Sequence, residues 1–147
     1  MKKLFYIFIL LFIVGWAQAQ QRVVYTINDG WKFTKGSPFE AQLTGCDDSS
    51  WETVNIPHTW NDKDADDETP GFYRGPVWYR KQLFIDKSQE GRQAVIYFEG
   101  ANQEVRFYLN GQFVGEHKGG YTRFCFDITS HLRYGQENLF AIYVNNV

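Results

Sequence analysis

Apolar and polar positions alternate most densely between Phe98 and Thr129, and the pattern turns about a single pair, Asn110-Gly111. Asn-Gly accepts the positive φ values of a type I′ turn, so the flanking runs Val105–Leu109 and Gln112–Glu116 are predicted to form a β-hairpin. A two-residue turn sets Leu109 opposite Gln112, Tyr108 opposite Phe113, Phe107 opposite Val114 and Val105 opposite Glu116, with partners on a common face. One face then carries Val105, Phe107, Leu109 and Val114, which a second layer must cover. The other carries Glu104, Arg106, Tyr108, Phe113 and His117. Beyond Gly119-Gly120, Phe124, Phe126 and Ile128 alternate with Arg123, Cys125 and Asp127, predicting a further strand over Arg123 to Thr129.

The same reading yields strand candidates at Arg22 to Ile27, from Trp31, at Trp51 to Ile56, at Val77 to Ile85, at Gln93 to Glu99 and at Asn138 to Val144. Gln93 to Glu99 is apolar on both faces, which predicts a central strand. Thr44 to Ser50 and Leu132 to Gln136 have turn composition, and Asn61 to Gly75 is the longest stretch without periodicity. No segment from Gln20 onward sustains a helical period. Short strands separated by Gly, Asn and Asp turns predict an all-β sandwich of two antiparallel sheets, specifically a jelly roll.

The first residues stand apart from this pattern. A positive start at Lys2-Lys3, thirteen uncharged residues from Leu4 to Trp16, and Ala17-Gln18-Ala19 make residues 1–19 a signal peptide, too short in its apolar run to span a bilayer. That leaves residues 20–147 as one exported domain, periplasmic or extracellular. Loss of the two lysines takes 15 basic residues to 13 against 17 acidic ones, a net charge near −4. Such a balance argues against nucleic acid or an anionic membrane as partner. Cys46 and Cys125 could pair in an oxidising compartment or remain free.

Candidate chemistry is sparse. Glycoside hydrolysis needs two carboxyl groups about 5–10 Å apart, one kept protonated by its surroundings; Glu99 is the best-placed candidate for a buried one, although its more ordinary reading is a hydrogen-bonded residue at a strand end. Asp62, Asp64 and Asp66 are spaced like the start of a calcium loop, but Asp67 and Tyr73 stand where such a loop needs Gly and a bidentate Glu. That acidic stretch, Asp62 to Glu68, is a solvated loop, an incomplete calcium site or a loop reaching into a neighbouring active site. His58, His117 and His131 lack zinc spacing, there is no Gly-x-Ser-x-Gly elbow and no phosphate loop, so neither cofactor nor metal is called for. Aromatics form 18% of the chain. Trp31, Trp51, Trp60 and Trp78 can fill a sandwich core or stack on sugars.

Several pieces together resemble the N-terminal sugar-binding domain of glycoside hydrolase family 2, the β-galactosidase, β-glucuronidase and β-mannosidase group. They are Asp29-Gly30-Trp31-Lys32-Phe33, Ile56-Pro57-His58-Thr59-Trp60-Asn61 and Tyr73-Arg74-Gly75-Pro76-Val77-Trp78-Tyr79-Arg80-Lys81. Phe98-Glu99-Gly100, the Asn-Gly hairpin, Gly119-Gly120-Tyr121-Thr122, Asp127-Ile128-Thr129, Asn138-Leu139 and Val144-Asn145-Asn146 continue the series.

The resemblance implies a jelly-roll domain packed against an immunoglobulin-like domain and a TIM barrel, with both catalytic glutamates in the barrel. No catalytic residue is therefore expected here, and the chain is expected to be an inactive fragment of a retaining, β-galactosidase-type enzyme acting on β-glycosides. What the resemblance does imply is a supporting rim, in which Asp66, Tyr73 and Arg74 from the loop before the Trp-Tyr-Arg strand and Asn145 and Asn146 after the last strand approach the sugar. The alternative is a complete carbohydrate-binding module without hydrolase activity.

Overall fold

The computed structural model describes residues 22–38, 40–61 and 72–147. The segment expected to be a signal peptide, and the acidic stretch Asp62 to Glu68, lie outside the described residues. Among the described residues eight strands follow one another: β1 (Trp31–Lys35), β2 (Glu52–Val54), β3 (Pro76–Ile85), β4 (Val95–Phe98), β5 (Glu104–Leu109), β6 (Gln112–Lys118), β7 (Phe124–Asp127) and β8 (Gln136–Asn145). Six of them form one sheet in the order β2-β1-β3-β8-β5-β6, and β4 with β7 forms a second sheet, every pairing being antiparallel. No α-helix occurs among the described residues.

The core lies between the two sheets. Trp31, Phe33, Val77, Tyr79, Phe107 and Ile142 face inward from the large sheet, against Ile96, Phe98, Phe126 and Ile128 from the small one. Phe107 is the hub, fully buried with its ring 6.0 Å from Phe126, 5.9 Å from Phe140 and 6.2 Å from Phe98. Such offset and edge-on packings add to what burial of the rings already contributes.

The hairpin turns where expected, with Asn110 at φ 54 and Gly111 at φ 84. Its register is the predicted one only for Leu109–Gln112 and Tyr108–Phe113; a bulge then sets Gly115, not Val114, opposite Phe107, and His117 opposite Val105. On the inner side at Gly115 lies the Phe126 ring, so close that a Cβ there would be 2.6 Å from it. One extra residue in the bulged strand exchanges the faces beyond it. His117, placed by alternation on the solvent side, thus stacks on Phe124 at 4.1 Å.

Three other expectations fail. Arg22 to Ile27 is not a strand; it is exposed over most of its length, and its attachment is through the Ile27 carbonyl, which accepts from the Trp31 indole at 2.6 Å. Gln93 to Glu99 is not central: β4 is one of only two strands in its sheet, with Val95 50% and Tyr97 53% exposed. Valine and tyrosine suit a strand whether or not both faces are covered, so an apolar run alone overstates burial. The strands covered on both faces are β8, where Phe140 and Ile142 point to the core and Ala141 packs on Trp78, and the first half of β3, where Val77 to Arg80 are all buried. Glu99 is exposed, not buried.

The outer face of the large sheet is closed by the segment between β1 and β2. Arg80 holds it there, 1% exposed, donating from Nε to Asp48 at 2.9 Å, from Nη1 to the carbonyls of Ala41 and Leu43 at 2.8 and 3.0 Å, and from Nη2 to Cys46 at 3.2 Å. The planar fork satisfies three carbonyls and a carboxylate at once, which a lysine cannot do. Cys46 and Cys125 are both free thiols. Asp127 ties the end of the small sheet: it accepts from the Thr129 hydroxyl at 2.6 Å, from Gln93 Nε2 at 2.9 Å and from the Thr129 amide at 2.9 Å.

Two outcomes are expected. Arg80→Ala strands a carboxylate and three carbonyls and should cost about 3 kcal/mol in urea unfolding, with Arg80→Lys recovering only part. The Asp127 carboxyl is pulled down to about 2 by the Thr129 hydroxyl, then Gln93, then the Thr129 amide. A depressed folded-state pKa stabilises above the unfolded value near 3.8, and that contribution is lost as pH falls through about 2. Asp127→Asn should therefore flatten the melting-temperature profile between those two pH values, measured by circular dichroism; a profile as steep as the parent's would contradict it.

Candidate functional site

One row of paired residues crosses the large sheet near its end: Pro76 on β3 faces Asn145 on β8, Asn145 faces Glu104 on β5, and Glu104 faces Lys118 on β6. One terminus of each of those strands lies at that end. Tyr73, Arg74 and Gly75 lead into β3, Asn146 and Val147 follow β8, Asn102 and Gln103 lead into β5, and Gly119 to Tyr121 follow β6.

Asn146 joins the first two groups. Its Oδ1 accepts from the Gly75 amide at 2.8 Å and its Nδ2 donates to the Tyr73 carbonyl at 3.0 Å. The Tyr73 hydroxyl donates to the Pro76 carbonyl at 2.8 Å and accepts from the Gly36 amide at 3.0 Å, with the Lys35 ammonium 5.1 Å from the ring centre. Gly75 has φ +146 and a Cβ there would lie 3.2 Å from the Tyr73 hydroxyl, so this turn needs glycine. Of the rim residues implied by the sequence, Tyr73 and Asn146 are thus in contact, and Arg74 beside them is exposed. Asn145 has other partners, its carbonyl accepting from the Gln103 amide at 2.8 Å and its Oδ1 from the Val147 amide at 3.2 Å. Asp66 lies outside the described residues.

The second group was not singled out by sequence reasoning. The Gln103 carbonyl accepts from the Gly119 amide at 2.7 Å, which clamps the 102–104 segment to the 118–121 segment. Between them an open groove of about 350 Å³ runs down to Val147. The Gly119-Gly120 pair was the only signal for it. Strand register, which joins residues 102–104 to 118–121, is invisible in a linear pattern.

Proton transfer to a leaving glycoside requires a carboxyl whose pKa is raised. Where a carboxyl here departs clearly from its ordinary value the change is downward: in Asp47 through Ser49, in Asp86 through Ser88, and in Asp127 as above. Glu104 bonds Arg106 at 2.6 Å. Burial instead raises the Tyr79 hydroxyl, which lies 2.9 Å from His58 Nδ1. No group of three or more His, Cys, Asp or Glu among the described residues could hold a metal ion. Trp31 and Trp78 are buried and Trp51 and Trp60 half-buried, whereas Phe72, Phe84, Phe113, Tyr25, Tyr97 and Tyr121 are exposed.

The sequence matches the profile of the glycosyl hydrolases family 2 sugar binding domain over residues 15–146. A β-glucuronidase of Formosa agariphila is 40% identical over 136 residues, 87% of this chain but 14% of that protein. A β-galactosidase of Thermoanaerobacter pseudethanolicus is 38% identical over 126 residues, 85% of this chain and 17% of that one. Among solved structures, a β-glucuronidase of Bacteroides uniformis superposes with a TM-score of 0.81 at 39% identity, over 86% of this chain and 15% of its own. The chain thus spans about a seventh of the length of these relatives. A strand-built sandwich matched along nearly all its length to that domain belongs to glycoside hydrolase family 2, as its sugar-binding domain.

Proposed function

We propose that this chain is the non-catalytic N-terminal jelly roll of an exported, retaining family 2 enzyme that removes terminal β-glycosides. The observation that carries this reading is the match of 87% of the chain to 14% of a protein named β-glucuronidase, beside a second relative named β-galactosidase. In such an enzyme one carboxylate attacks the anomeric carbon while a second carboxyl protonates the departing oxygen, and both reside on the remaining portion, with an immunoglobulin-like domain and a TIM barrel as the expected neighbours.

Within that enzyme the sandwich contributes shape. Tyr73, Arg74, Asn145 and Asn146 at the end of β3 and β8, with Asp66 from the acidic loop, form part of the rim against which the sugar is held. The bonds from Asn146 to Gly75 and Tyr73 support this assignment, because they fix two rim segments to each other before any sugar arrives.

The purified chain is expected to release no nitrophenol from 4-nitrophenyl β-galactoside, β-glucuronide or β-mannoside; turnover that survives controls for host enzymes overturns the non-catalytic reading. Export is tested separately. Expressed in a Gram-negative host, the chain should appear in the periplasm beginning at Gln20 by mass spectrometry, and a protein retained in the cytoplasm with Met1 in place would refute it.

A further inference from the structure

Two demands meet at the hairpin turn, and they conflict. The turn requires positive φ at both central residues and takes them from Asn110 at φ 54 and Gly111 at φ 84. A side chain at position 111 would also crowd Leu43, whose Cδ2 lies 3.3 Å from where a Cβ would stand. Yet asparagine followed by glycine is the asparagine dipeptide most prone to cyclise, because no side chain shields the glycine nitrogen from the neighbouring carboxamide carbon. The pair occurs once in the sequence.

Ring closure needs a carboxamide free to rotate, and here it is held. Asn110 Nδ2 donates to the His131 carbonyl at 3.0 Å and to Asn138 Oδ1 at 2.9 Å, and its Oδ1 accepts from the Leu139 amide at 3.1 Å. The Asn110 amide donates to the Leu139 carbonyl at 2.8 Å, so backbone and side chain are tied to β8 together. Turning the carboxamide out of this cradle breaks three bonds at once. It also leaves the amide of Leu139, a residue 4% exposed, without that acceptor, which is the costly kind of loss.

We propose that Asn110 is a site of spontaneous deamidation that the fold keeps closed, and that conversion during an opening of the turn bars its return. The Gly111 nitrogen bonds to Asn110 Cγ, the Cγ–Nδ2 bond breaks, and ammonia leaves with the proton of the Gly111 amide. Water then opens the five-membered imide at either carbonyl, giving aspartate or isoaspartate. Aspartate still accepts from the Leu139 amide, but it has no donor for the His131 carbonyl or Asn138 Oδ1 and sets a carboxylate against both. Isoaspartate adds a methylene to the main chain between the paired strands. The stability of one turn thus sets how long the β5–β6 hairpin stays fastened to β8, whatever enzyme the domain serves.

The test is incubation of the chain in mildly alkaline buffer, folded and in urea above its unfolding transition, with the change from amide to acid located by peptide mass mapping. The folded chain is expected to convert Asn110 roughly a hundredfold more slowly than the unfolded one, the scale of three net hydrogen bonds lost on opening. Urea below the transition should speed conversion by favouring local opening. Asn138→Ala removes one of the three partners and should speed conversion in the folded state; the urea series needs no variant and tests the same gate if that chain does not fold. Asn110→Asp should melt below the parent. Conversion of the folded chain at the unfolded rate overturns the gate, an unfolded chain that keeps its Asn110 amide overturns the site, and an Asn110→Asp chain that melts like the parent overturns the bar to return.

Discussion

The ladder between β3 and β8 is the constraint from which the rest of the sandwich follows. Ten residue pairs run without a break from Pro76–Asn145 to Ile85–Gln136, so neither strand can slip by one position without turning Trp78 inward and Tyr79 outward. Because that register is fixed, Arg80 lies opposite Ala141. The small side chain leaves space on the outer face for the 41–48 segment that the guanidinium then holds by four bonds. The same ladder delivers Tyr73 and Asn146 to one place. The scaffold and the Tyr73–Asn146 contact are therefore consequences of one set of backbone hydrogen bonds.

At the opposite end of the ladder one buried amide is fully paired. Asn138 is fully buried, yet its Oδ1 accepts from Asn110 and from the Arg133 amide, and its Nδ2 donates to the Arg133 and Gln136 carbonyls. Asn110 returns the contact, accepting from the Leu139 amide and donating to the His131 carbonyl. The residue that shapes the hairpin turn thus also fastens it to β8. A buried amide network of this kind is stabilising only when every member is paired, and all four bonds of Asn138 are made.

Much of this was legible in the linear pattern. Asn110-Gly111 announced its turn because few dipeptides tolerate two positive φ values, and Val77 to Ile85 and Asn138 to Val144 declared themselves through length and apolar content. What the pattern missed depended on contacts distant in sequence. The bulge at Val114 sets Gly115 against a ring on β7 that no local periodicity contains. β4 looked central because Val95 and Tyr97 are apolar, although only pairing decides which strand lies in the middle. In the same way Tyr73 and Asn146 could be brought together through family resemblance, whereas the 102–104 and 118–121 segments had only a glycine pair to mark them.

The contact between Gly115 and Phe126 has a consequence for how such domains diverge. A ring fills the volume that any larger residue at 115 would need, so position 115 cannot gain a side chain while that ring stays. A methyl gained on β6 is tolerable only after β7 has surrendered part of its aromatic bulk. Across related sandwiches the two sites should thus change in tandem, and their joint history would report the spacing of the layers more faithfully than either residue by itself.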